Sequence, residues 1–272
     1  MSYFVFNDEL RNTCDFNPYL FENKKPVYEV VRVEKGIPLF FKDHIDRFYN
    51  SCKLADLLLS LSRQQIYNRI KVLIESNNLK TGLVKFLLLQ EKPGEELFMA
   101  WVAPFFFPSK EQYLNGVELA LMNGVRENPH VKLANLSVRQ RADALIKEKK
   151  NYDVILVNSD GIITEGSRSN LFFLKNDCKV LFTPHENLVL TGITRIKIID
   201  LALGLGLDVF ESVYTVDELE DFDSLFLTGT SPKVLPVNRV GEKKFDTKNR
   251  ILGVLRENYD KMIDDYIRNF SW

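Results

Sequence analysis

Polar and apolar residues alternate over Pro26-Val27-Tyr28-Glu29-Val30-Val31-Arg32-Val33, break at Glu34-Lys35-Gly36 and resume over 37–41, which predicts a β-hairpin. From Asp43 the period becomes helical: Ile45, Phe48, Cys52, Ala55 and Leu59 recur at three- and four-residue steps. Ser62 with Gln65 forms a capping box that opens a second helix carrying Ile66, Ile70 and Leu73 inward. Residues 83–89 and 97–102 predict a strand pair around Glu91-Lys92-Pro93-Gly94. Pro104, Pro108 and the polar run 109–112 read as a linker, so the chain is expected to divide into a small N-terminal α/β domain, 1–112, and a larger one, 113–272. Beyond it the pattern predicts strands at 116–122, 154–157, 162–164, 171–174, 179–182, 207–213 and 225–227. Helices are expected at 137–149, 193–203 and from about 247. Regular strand-helix alternation is missing, which favours an α+β fold of mixed, largely antiparallel sheets with packed helices.

Composition narrows the classes. The 272 residues carry 36 Lys plus Arg against 37 Asp plus Glu, a net charge of −1 that offers no surplus for a phosphate backbone or an anionic membrane. Neither nucleic acid nor membrane is an expected partner. Cys14, Cys52 and Cys178 are odd in number and far apart, and the first residues lack a basic start and a long apolar run, so a cytoplasmic protein is expected. His44, His130 and His185 are too scattered to argue a metal site, and none is expected. Phosphate-loop, nucleophile-elbow and dinucleotide fingerprints are absent from the sequence.

What remains is a cofactor site built from a lysine, a carboxylate and helix-start amides. Pyridoxal 5'-phosphate needs that set: an amine for the Schiff base, an acid at the pyridine nitrogen and a cationic cradle for the phosphate. Thr191-Gly192-Ile193-Thr194-Arg195 lies where a loop enters a helix, so first-turn amides and a hydroxyl are available to an anion. Gly229-Thr230-Ser231 offers a second turn of amides and hydroxyls.

Six blocks then occur in one order: Tyr28-Glu29-Val30-Val31-Arg32, His44-Ile45-Asp46-Arg47, Lys132 followed at three residues by Asn135, Glu165-Gly166-Ser167-Arg168-Ser169-Asn170, Gly192-Ile193-Thr194-Arg195, and Gly229-Thr230-Ser231 with Leu235-Pro236-Val237. Together they resemble the class IV pyridoxal-phosphate enzymes, the family of D-amino acid and branched-chain aminotransferases and of 4-amino-4-deoxychorismate lyase. The resemblance implies the two-domain, D-amino acid aminotransferase-like architecture of fold type IV. It also implies roles: Lys132 as the Schiff-base lysine, Glu165 at the pyridine nitrogen, and Arg47, Ile193, Thr194 and Thr230 around the phosphate. Once released from the cofactor, Lys132 would move the proton at the substrate α-carbon.

Tyr28 and Arg32 share one strand face and point to a substrate role, and Arg168 beside Glu165 provides a bidentate fork for a carboxylate. No Arg-x-His pair occurs between Gln90 and Phe107, where D-amino acid aminotransferases trap the substrate carboxylate. Ser137 stands where branched-chain enzymes have a tyrosine. Neither substrate pattern carries over intact. The Gly229-Thr230-Ser231 turn with Leu235-Pro236-Val237 resembles the transaminases, so the expected activity moves an amino group between an amino acid and a 2-oxo acid. The lyase, and a non-catalytic protein of the same fold, are the alternatives. A homodimer is implied by the resemblance.

Overall fold

Residues of one phase in the alternating segment 27–34 are buried and those of the other are half-open, which fixes how the first unit is built. In the computed structural model, which describes residues 2–21, 24–90, 92, 94–126, 128–133, 136–176 and 179–272, the chain forms two compact units. One comprises Met1–Phe106, His130–Ala134 and Ile263–Trp272, the other Phe107–Pro129 and Asn135–Met262. Glu91 and Pro93, Asn135, Asp177 and Cys178 lie outside the described residues.

The first unit holds a six-stranded antiparallel sheet in the order β2-β1-β6-β5-β3-β4, from β1 (Tyr3–Phe6), β2 (Glu9–Asn12), β3 (Val27–Glu34), β4 (Ile37–Pro38), β5 (Thr81–Gln90) and β6 (Glu96–Ala103). The two N-terminal strands, which the pattern did not predict, lengthen its edge. Helices α1 (Phe41–Leu54) and α2 (Arg63–Ser76) supply Ile45, Phe48, Ile66, Ile70 and Leu73 to a core shared with Val27, Val31 and Val33 of β3. Residue Glu29 lies in phase with those valines and is fully buried. At the start of α2, Gln65 N donates to Ser62 Oγ at 3.3 Å and Ser62 N to Gln65 Oε1 at 2.7 Å, the reciprocal pair that the sequence predicts. Helix α1 begins at Phe41, two residues before Asp43. Its cap residue Phe40 adopts a left-handed conformation, φ 49°, and offers no side-chain cap; instead Phe41 N donates to the Tyr266 hydroxyl at 3.0 Å.

The second unit is built on a ten-stranded mixed sheet. Its strands are β7 (Val117–Asn123), β8 (Asp153–Val157), β9 (Ile162–Gly166), β10 (Asn170–Leu174), β11 (Val180–Pro184), β12 (Asp208–Ser212), β13 (Tyr214–Thr215), β14 (Ser224–Gly229), β15 (Lys233–Val240) and β16 (Lys243–Lys244). They run in the order β12-β11-β10-β14-β15-β7-β8-β9-β13, with β16 paired to β15. The pairs β11–β12, β15–β7 and β7–β8 are parallel and the other pairs antiparallel. Helices α3 (Lys110–Asn115), α4 (Leu136–Lys149), α5 (Ile193–Gly204) and α6 (Arg250–Asn269) complete the elements; α6 passes into the first unit at Ile263. The polar run 109–112, read as linker, is a helix start, since Gln112 N donates to Ser109 Oγ at 3.2 Å.

Strand β15 was hidden from the pattern by Pro236, a residue that argues against a central strand because it cannot donate to a ladder. It is tolerated where it stands: Pro236 faces Phe226 of β14, while the pairing with β7 starts only at Val237 and is interrupted by a bulge before Arg239. Among the described residues, no helix is long and apolar enough to cross a membrane.

Candidate active site

Lys132 belongs to a stretch without periodicity, yet its backbone is held at three points. Tyr28 N donates to the Lys132 carbonyl at 3.0 Å, Lys132 N donates to Ser51 Oγ at 3.2 Å, and neighbouring Leu133 forms an antiparallel bridge with Val27. The side chain is thereby launched from the end of β3. Its Nζ lies 5.4 Å from the centroid of the Tyr28 ring, a ring that also faces Lys85 Nζ at 4.8 Å.

On the opposite phase of β3 lies a buried charge cluster that sequence reading missed. Arg47 Nε and Nη2 donate to the two carboxylate oxygens of Glu29 at 2.7 and 2.8 Å, and His44 Nδ1 lies 2.8 Å from Glu29 Oε2. Burial alone would raise the Glu29 pKa. The charges of Arg47 and Lys132, with the hydrogen bonds from Arg47 and His44, outweigh it and hold the carboxyl well below the usual carboxylate range. An ionised carboxylate only accepts, so His44 Nδ1 carries the proton of that contact. Burial pushes the His44 pKa down, Glu29 opposes the fall, and Arg47 and Lys132 add to it, so the imidazole stays neutral. The signal was available: a strand period of two places Glu29 in phase with Val27, Val31 and Val33, and His44 and Arg47 share a helix face at i, i+3. Arg32, in the half-open phase with Tyr28, is tied to its own strand, Nε to Glu34 Oε1 at 2.6 Å.

In the second unit the turn between β9 and β10 carries Glu165 at its entry and Asn170 at its exit. Arg126 Nε donates to Glu165 Oε1 at 2.7 Å, and Leu190 N donates to Oε2 at 3.2 Å. Asn170 Nδ2 donates to the Leu190 carbonyl at 2.9 Å and reaches Glu165 Oε2 at 3.4 Å, so two side chains grip one residue just before α5. Arg126 is a second residue that no sequence signal marks. Arg168, at the crest of the turn, is exposed and pairs with Asp143 of α4.

Helix α5 opens at Gly192 with no side-chain cap, which leaves the amides of Ile193 and Thr194 without an intrahelical acceptor at the positive end of the dipole. Both residues are buried, and Thr194 Oγ1 lies 3.3 Å from the Tyr259 hydroxyl. A Cβ on Gly192 would overlap Asn170 Oδ1, so a side chain there must displace the approach of Asn170 to the helix start. Thr230 sits in the β14–β15 turn. The position of a Cβ on preceding Gly229 is 3.3 Å from the Arg168 carbonyl, which sets that turn beside the Glu165 turn. Glu165, Ile193, Thr194 and Thr230 are thus gathered in one unit, and Tyr28, Arg47 and Lys132 in the other. Asn135 is outside the described residues.

The donor sets match the parts of pyridoxal 5'-phosphate. The uncapped amides of α5 and the cradle at Gly192 suit a phosphate, buried Glu165 suits a ring N–H, and Lys132 supplies a primary amine.

Residues 26–240 match the family described as amino-transferase class IV. A D-alanine aminotransferase of Bacillus licheniformis is 31% identical over 251 residues, 87% of each chain. A Thermotoga maritima protein named "Probable branched-chain-amino-acid aminotransferase" is 31% identical over 257 residues, 92% of this chain and 91% of that one. The branched-chain amino acid aminotransferase of Escherichia coli shares the fold, with a TM-score of 0.85 at 22% identity over 96% of this chain and 94% of that one. The chain belongs to the class IV aminotransferases. It is an enzyme of fold type IV, and its family's cofactor is pyridoxal 5'-phosphate.

Proposed function

We propose that this enzyme transfers an amino group between an amino acid and a 2-oxo acid with Lys132 as both the cofactor-bearing amine and the proton-transfer group. The observation that carries the reading is the three-point tether of Lys132: a solvated surface lysine has no reason to have its amide, its carbonyl and the next residue all engaged.

When bound, the cofactor supplies an aldehyde for the lysine amine and a protonated ring that withdraws electrons from the substrate α-carbon. Glu165 holds a proton at the ring nitrogen, and Arg126 and the Leu190 amide fix the direction of its carboxylate. Five N–H donors allow Arg47 to serve both Glu29 and a phosphate. The first amides of α5, the Thr194 hydroxyl and the Thr230 turn would hold a phosphate. Once its amine is released, Lys132 would move the proton between the substrate α-carbon and the cofactor, as general base and then acid. Tyr28, stacked against the Lys132 ammonium, takes the substrate-side role. Arg32 and Arg168 would each have to leave an ion pair to reach a carboxylate, with Glu34 and Asp143 respectively. The proposal includes a homodimer, as the family resemblance implies, and a cytoplasmic location, for which the odd and scattered cysteines argue.

The test is a panel of L- and D-amino acids with 2-oxoglutarate or pyruvate as acceptor, scored for the new amino acid by chromatography. Transfer that requires both partners is expected. Release of pyruvate and 4-aminobenzoate from aminodeoxychorismate without an acceptor, with no transfer in the panel, would make the enzyme a lyase.

A further inference from the structure

Asp153 begins β8 and is 2% exposed, and its carboxylate collects four neutral donors. Oδ1 accepts from Ser167 Oγ at 2.6 Å and from Val154 N at 2.8 Å; Oδ2 accepts from Ser169 Oγ at 2.9 Å and from Arg168 N at 3.4 Å. Three of the four belong to the turn that joins Glu165 to Asn170. Burying a carboxylate is costly unless hydrogen bonds satisfy it, and a turn of this length can close on backbone bonds alone. This one already has two, Gly166 N to the Ser169 carbonyl at 2.8 Å and Ser167 N to the Val154 carbonyl at 3.0 Å.

The carboxylate therefore does more than close the turn. A side chain at Gly166 would overlap Ser169 Oγ and bring its Cβ within 2.9 Å of Asp153 Oδ2, so the turn is wrapped tightly around that group. Glu165 and Asn170, at the two ends of the wrap, hold the N–H and C=O of Leu190, two residues before the start of α5 at Gly192. The direction of Glu165 and the entry into α5 are consequently set by the same four-residue turn.

We infer that Asp153 is a positioning residue that acts through this turn on Glu165, and through Glu165 on cofactor affinity. The inference rests on the proposed role of Glu165 at the cofactor ring. Replacing the carboxylate with an amide turns one acceptor into a donor that faces Ser169 Oγ and Arg168 N, with almost no change in volume.

The experiment titrates pyridoxal 5'-phosphate into protein stripped of it, following fluorescence and the visible band, for wild type, Asp153→Asn, Glu165→Gln and the double variant. Thermal melting by circular dichroism accompanies each. Asp153→Asn is expected to weaken cofactor binding about tenfold, by analogy with residues that orient a ligating group. In the Glu165→Gln background the same change is expected to have under a twofold effect, because the group it orients is gone. A structural role alone would weaken binding equally in both backgrounds and overturns the inference. So does unchanged affinity in Asp153→Asn when Glu165→Gln binds weakly, an outcome that leaves the reading of Glu165 standing; unchanged affinity in both variants overturns the two together. Should Asp153→Asn not fold, Ser169→Ala removes one donor and is read in the same cycle. A loss that vanishes beside Glu165→Gln supports the inference, and a loss that persists contradicts it.

Discussion

Lys132→Ala is expected to lose transamination by about 10³-fold or more while its melting temperature stays close to that of the wild type. The rate falls because the proposed mechanism gives one nitrogen two tasks, holding the cofactor and moving the α-proton. Stability is retained because the tethers of this residue are backbone atoms, the carbonyl with Tyr28 N and the amide with Ser51 Oγ, and alanine keeps both. The contacts given up include the cation over the Tyr28 ring, worth about 0.5–1 kcal/mol at a partly exposed site, and the attraction of its charge for Glu29. Rate and melting curve are measured on the same preparation, and partial recovery with an added primary amine is expected. A variant that retains most of its activity would remove Lys132 from the chemistry.

Glu29→Gln should produce the largest change in stability. The substitution leaves the Arg47 guanidinium, with its side chain 10% exposed, facing a neutral amide, and breaking a buried pair from one side costs about 3–5 kcal/mol. In a chain of this size that corresponds to roughly 10 °C in melting temperature. The sign of the pH dependence follows from two depressed pKa values. Buried His44 stays neutral while an unfolded histidine takes a proton near the ordinary imidazole value of 6.5, so stability declines as pH falls below that point. Glu29 adds a second decline below the ordinary carboxyl value of 4.5, where the unfolded carboxylate is protonated and the folded one is still ionised. Glu29→Gln should remove this second limb, giving a shallower loss of stability between about pH 4.5 and pH 2. Denaturant unfolding across that range measures both effects; a variant as stable as wild type, with the same acid limb, would show that the cluster is energetically idle.

Much of the fold was legible because local chemistry and tertiary packing agree. Ser62 and Gln65 cap α2 as written, and the helical step of Ile45, Phe48 and Cys52 is the step of the buried face of α1. The exceptions share a cause, namely long-range partners that replace a local signal. Phe41 finds its cap at Tyr266, more than two hundred residues away, so α1 starts where no capping residue stands. Pro236 is tolerated inside β15 because β7 joins only at the following residue. In the site, Lys132, Arg47 and Glu165 were found through the order of six blocks, none of which is distinctive singly. Glu29 was passed over as an ordinary polar residue of an alternating strand, although its phase places it in the core. Arg126 and Asp153 left no trace, since one lies in a stretch without period and the other stands at the polar start of a strand, where turn residues are common. Their significance comes from the turn at 165–170, which depends on where the backbone of β8 runs.

In the proposed mechanism Lys132 carries the cofactor. Borohydride reduction of the holoenzyme fixes the cofactor to whichever lysine holds it, and peptide mass mapping then reads the position directly. A pyridoxyl label confined to the peptide containing Lys132 is predicted. A label on any other lysine, or none after reduction of a visibly yellow protein, would contradict it.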